Sequence, residues 1–242
     1  MNIEPENLPD SLLQSVGNDY TKDALIDLSE SVLDSATESF MKSDAVTKLP
    51  IVGWIAAAGK GVIVMRDKLY VRKLLRFLAE TSEVSDEDKE RYRNKLDSNP
   101  KEARRAGIVI LDLIDKAVDA EKAALIGKVV RAFMHEDNLS TDEMVAMCEM
   151  IDKAYLDDLR ALSRKDGESG KPWNDINLEG IGIKKPMRSE DINKAIGALK
   201  SRMLKQMPVV HEAPINDDEE PIVIESGFTD TGAKLHRILQ DY

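Results

Sequence analysis

The sequence predicts a mainly α-helical fold: a helical bundle followed by a small α/β module at the C-terminal end. Three observations predict it. Aromatic residues make up only 5% of the 242 residues while apolar residues reach 42%, which favours helices packed through aliphatic side chains over a strand-rich sandwich or barrel. Apolar residues recur at spacings of three and four through most of residues 22–163. Residues that start helices stand between those runs, so the loops are short and neighbouring helices are expected to pack antiparallel.

The first expected helix runs from Lys22 to Met41, with Leu25, Leu28, Val32, Ala36 and Phe40 on one face and acids on the other. Leu49 to Met65 is the least polar stretch, LPIVGWIAAAGKGVIVM, broken only by Lys60. Gly53, Ala57 and Gly61 lie four apart on it, a small-residue stripe against which another helix can pack closely. A helix from Arg66 to Ala79 follows, with Val71, Leu74, Leu75 and Leu78 inward.

Capping signals mark the next helices. Ser85 with Asp88 three residues on opens a helix to about Leu96. Asn99 before Pro100 opens one to Val118, with Ala103, Ala106, Ile110, Ile114 and Ala117 as its stripe. Asp119 caps Ala120–His135, and Ser140 with Glu143 forms a capping box. From there Met144, Met147, Cys148, Ile151, Tyr155, Leu159 and Leu162 predict one long amphipathic helix.

Residues 164–188 change character, with Gly167, Gly170, Gly180, Gly182, Pro172 and Pro186, and predict a loop or insert with a short strand near Ile181–Ile183. Ser189 caps an expected helix to Met207. Residues 222–225 are the best strand candidate, and Phe228–Leu239 closes the chain as a helix. The organisation is an acidic N-terminal helical segment (1–48), a bundle core (49–163), a Gly/Pro-containing linker (164–188) and a C-terminal module (189–242).

Net charge is −11, from 34 Lys and Arg against 45 Asp and Glu, but it is unevenly distributed. Residues 1–48 carry −7, 49–76 carry +5, 77–163 carry −7, 164–205 carry +4 and 206–242 carry −6. The first basic segment holds Arg66, Lys68, Arg72, Lys73 and Arg76 directly after the apolar stretch. With Gly53, Ala57 and Gly61 they are the candidate contacts for a membrane surface or a partner helix. The second segment supplies Lys184, Lys185 and Arg188 before an expected helix and Lys194, Lys200, Arg202 and Lys205 along it, the candidate nucleic-acid contacts, which the overall negative charge disfavours.

One cysteine excludes an internal disulfide and a structural zinc cluster. Cys148 falls on an apolar stripe and is expected buried. His135 and His236 have no Asp or Ser at the spacing of a hydrolytic triad. Gly167, Gly170 and Lys171 fall short of a phosphate loop, with Pro172 where Ser or Thr is required. Residues 137–148 have the length of a calcium loop, but Leu139 and Cys148 stand at ligand positions. Asp112 and Asp115 on one helix and Asp152, Asp157 and Asp158 on another are best read as solvated faces. No catalytic residue, metal or cofactor is expected. The N-terminal MNIEPENLPDSLLQ lacks the basic and apolar regions of a signal peptide, so the expected location is the cytoplasm, with membrane association as an option.

Three resemblances add to this. Phe228, Thr229, Gly232, Leu235, Ile238 and Leu239 resemble the closing phrase of bacterial winged-helix modules, which implies a winged-helix-like C-terminal module with residues 191–207 as its recognition helix. Residues 49–163 resemble a group of bacterial helical proteins without assigned chemistry. The residues that carry this are Arg66, Asp67 and Leu69; Glu121, Lys122, Ala123, Leu125, Gly127, Lys128 and Ala132; and Ile151–Leu159. His135–Leu159 is similar to TerB-like domains of tellurite resistance, which implies a bacterial stress or phage-defence setting. The expected function is a non-enzymatic interaction or regulatory protein with a protein partner or a second copy of itself. The alternatives are a membrane-active effector using residues 49–76 and a winged-helix nucleic-acid-binding regulator.

Overall fold

A computed structural model describes residues 8–34, 48–53, 65–164, 178, 180–184 and 228–241. Among them are nine helices: α1 (Leu8–Ser15), α2 (Lys22–Asp34), α3 (Met65–Glu80), α4 (Asp86–Ser98), α5 (Pro100–Lys116), α6 (Ala120–His135), α7 (Thr141–Lys153), α8 (Leu156–Leu162) and α9 (Asp230–Asp241). The expectation of a helical bundle holds.

Helix α6 forms the centre because its sequence, AEKAALIGKVVRAFMH, is apolar on most of its circumference. Eleven of its residues are buried, and α3, α4, α5, α7 and α9 all pack on it. The broadest contact is with α3, whose Val71, Leu74, Leu75 and Leu78 are at most 1% exposed. Helix α2 covers the other side of α3, α1 lies on α5, and α7 bridges α5 and α6.

The helix starts are where the capping residues put them. The Ser85 hydroxyl accepts from the Asp88 amide, Asn99 from Glu102, Asp119 from Glu121, and Ser140 with Glu143 closes a full capping box. The far end of α6 is closed by cations from another helix. Lys95 of α4 donates to the Phe133 carbonyl at 2.7 Å and Arg91 to that of His135 at 2.9 Å. Both complete carbonyls that a helix end leaves unpaired, and their charge suits the negative end of the dipole.

Two expectations need correction. The single long helix to Leu162 breaks into α7 and α8, because Ala154 (ψ 149°) and Tyr155 (ψ 141°) are extended. Asp157 and Asp158 then stand in the first turn of a new helix, where acids favour the dipole, and Asp158, expected on a solvated face, is buried there. Tyr155, expected inward, is 66% exposed as a result. In the C-terminal part, Ile181 and Gly182 form a turn rather than a strand, and pairing starts at Lys184, which bridges antiparallel to Phe228. Among the described residues this is the one β-pairing. The expected continuation of α2 to Met41, the helix 189–207 and the strand 222–225 lie outside the described residues.

Candidate functional site

The basic residues after the apolar stretch are placed on α3, and several face acceptors within the fold. Arg72 reaches both carboxylate oxygens of Glu30 on α2, at 3.1 and 3.2 Å. Lys68 donates to the Leu33 carbonyl at 3.4 Å, at the end of α2. Lys73 donates to the carbonyls of Asp115 and Ala117, where α5 ends. Arg76 is half-buried, and Gly53 is half-exposed beside the buried Leu49, Ile51 and Val52. Arg66 lies in the first turn of α3; Ala57 and Gly61 lie outside the described residues, as do Lys185, Arg188, Lys194, Lys200, Arg202 and Lys205, while Lys184, expected as a nucleic-acid contact, is buried with its ammonium over the Phe228 ring.

The candidate chemistry-bearing residues occupy packing and pairing positions. Cys148 is fully buried, and burial pushes its thiol up to about 12, so thiolate is scarce at neutral pH. His135 Nδ1 sits 3.2 Å from Asp88 Oδ1, a pairing across 47 residues that spacing alone did not signal. His236 stacks on Phe228, ring centroids 4.6 Å apart. Asp112 pairs with Lys116, and Asp157 with Arg160, which also grips Glu121 at 2.9 Å. Among the described residues no group of His, Cys, Asp or Glu could hold a metal ion. Asp137, at the head of the calcium-loop-length segment, pairs with Arg91 instead, and Leu139 is buried.

The phrase from Phe228 to Leu239 forms a clasp. The Thr229 hydroxyl accepts from the Gly232 amide at 2.9 Å and donates to the Gly182 carbonyl at 2.7 Å, capping α9. Its amide donates to the Ile183 carbonyl at 3.0 Å. Gly232 lies directly against that carbonyl, so close that a Cβ there would overlap the Ile183 oxygen. Leu235, Ile238 and Leu239 are buried, and Lys234 and Arg237 pair with Glu143 and Glu136 of the bundle.

Two surface features lay outside the sequence reading. One is a cleft of about 1140 Å³ between the α1–α2 turn and α4, with Leu13, Val16, Tyr20, Tyr92, Arg93 and Leu96 among its lining. The other is a pair of exposed apolar side chains set among charged residues at one end of the bundle. Val118, between α5 and α6, is 97% exposed, and Tyr155, between α7 and α8, is 66% exposed. Arg160 to Glu121 and Lys122 to the Asp152 carbonyl (2.6 Å) tie those two joints together. Leu69, one turn from Lys73, is 46% exposed near the same end of α5. Among the described residues no helix is long and apolar enough to cross a membrane.

The chain matches no protein-family model, no curated protein and no solved structure.

Proposed function

We propose that this chain is a non-enzymatic interaction or regulatory protein that works in the bacterial cytoplasm, with a stress or phage-defence role as the setting. The observation that carries the reading is the pair of exposed apolar side chains, Val118 and Tyr155, at one end of the bundle. The two lie at joints tied to each other, so one partner surface could cover both and remove their apolar area from water. The ion pairs of α6 to α9 serve to hold the helices together, which supports a scaffold that presents a surface. A winged-helix-like module over residues 189–242 is part of the proposal; the Thr229 cap and the Lys184–Phe228 bridge support it, and such modules also dock proteins. We rank the membrane reading below this one because Lys68, Arg72 and Lys73 already meet acceptors inside the fold.

The test is affinity capture from a bacterial lysate with the wild-type chain and with the double variant Val118→Glu, Tyr155→Glu. A defined protein, or a second copy of the chain, held by the wild type and released by the variant is the expected result. Equal capture by both, or turnover of nucleotides or nucleic acid by the purified chain, would contradict it.

A further inference from the structure

The cleft between the α1–α2 turn and α4 combines apolar walls with cations, in a chain whose net charge is −11. Its volume of about 1140 Å³ suits a small organic molecule. Leu13, Val16, Leu96 and the Tyr20 ring supply apolar surface, while Lys48, Lys89 and Arg93 supply positive charge. Asp19 and Asp97 oppose them, but Asp19 lies with its side chain 93% exposed and is bound to Lys89 at 2.7 Å. Arg93 is exposed and hydrogen-bonds to none of the described residues; it shares the field of Asp19, and its guanidinium donors remain available to a carboxylate, sulfonate or phosphate.

Tyr92 supplies the second, independent observation. It belongs to the wall of the cleft, is only 4% exposed, and its hydroxyl has no hydrogen-bond partner among the described residues. Its ring packs edge-on to Phe133, a contact that a phenylalanine would keep. A buried hydroxyl without a partner costs stability that Phe would avoid, and that cost is offset where a bound molecule accepts its proton.

We propose that this cleft binds a small organic anion with an apolar or aromatic body. The acidic head faces Arg93, the body lies on Leu13, Val16 and Leu96, and a polar atom accepts a hydrogen bond from Tyr92. The site is separate from the bundle end at Val118 and Tyr155, so it stands or falls independently of the interaction reading.

Anilinonaphthalene sulfonate carries this combination of aromatic body and anionic head and serves as the probe. Titration calorimetry on the folded wild-type chain is expected to show one probe molecule per chain. Arg93→Glu weakens binding about tenfold or more, and Ala24→Trp, at an exposed position on the rim, blocks it. Tyr92→Phe weakens binding by about threefold while leaving the thermal midpoint equal or higher. No uptake by the wild type would overturn the proposal, as would uptake unchanged by Arg93→Glu and Ala24→Trp. A Tyr92→Phe chain that binds normally but melts lower would also overturn it, because the hydroxyl would then serve the fold alone.

Discussion

Gly127 of α6 rests on the backbone of Phe77 in α3: a Cβ at Gly127 would stand 2.5 Å from the Phe77 carbonyl oxygen and 2.8 Å from the Glu80 Cβ. The broadest helix contact of the bundle thus depends on a residue with no side chain. Gly127→Ala gains helix propensity, worth about 1 kcal/mol, but must push two backbones apart at an overpacking cost of about 1–3 kcal/mol or more. A net loss of stability is expected in urea denaturation. A more stable variant would show that the helices have room to separate.

The Thr229–Gly232 clasp governs how α9 stays on the bundle. Thr229→Val keeps the shape but leaves the Gly232 amide and the Gly182 carbonyl without that partner, at an expected cost of about 1–2 kcal/mol. Gly232→Ala costs more, since the Ile183 backbone itself must move. Hydrogen exchange should show faster exchange in α9 than in α6 for both variants, whereas a uniform change along the chain would argue against a local clasp.

Glu143 makes the attachment of α9 dependent on pH. Hydrogen bonds from Lys234 and from Ser140 hold its carboxyl down to about 2, from an ordinary value of 4.5. The ionised form is the one the fold favours, so its contribution is complete above pH 4.5 and is lost as the pH falls towards 2. Acidification through that window is expected to loosen α9, and Glu143→Ala should flatten the difference between neutral and acid pH. A wild type and Glu143→Ala with the same pH profile would remove the Glu143–Lys234 pair as the cause.

Cys148 is predicted to be inert in the folded chain. With a thiol both fully buried and raised to about 12, its reaction with a disulfide reagent should follow unfolding and stay negligible in native buffer. Fast native labelling would mean that α7 opens locally.

Much of the bundle is legible in the sequence because its signals are local. A side chain that caps an amide three residues away marks its own position, as Ser85, Asn99 and Ser140 do, and a stripe such as Ala106–Ile110–Ile114 names its buried face. Helix α1 was missed because it is eight residues long, too short to hold by itself, and rests on α5 with Pro9 against Gly107. The break at Ala154–Tyr155 was missed because the apolar spacing continues across it into Leu159 and Leu162. The basic residues of α3 read as a surface charge cluster, since their acceptors on α2 and α5 lie 35 to 44 residues away. The cleft is invisible for the same reason: residues 13–24 meet residues 89–97, and no periodicity announces that meeting.

The central claim is that the end of the bundle at Val118 and Tyr155 is the partner surface. A photoreactive benzoylphenylalanine placed at Val118, and separately at the exposed Glu90 on α4 near the opposite end of α6, tests it in living bacterial cells. A discrete crosslinked species from position 118 and none from position 90 is predicted. No crosslink from 118, or the same pattern from both positions, would contradict it.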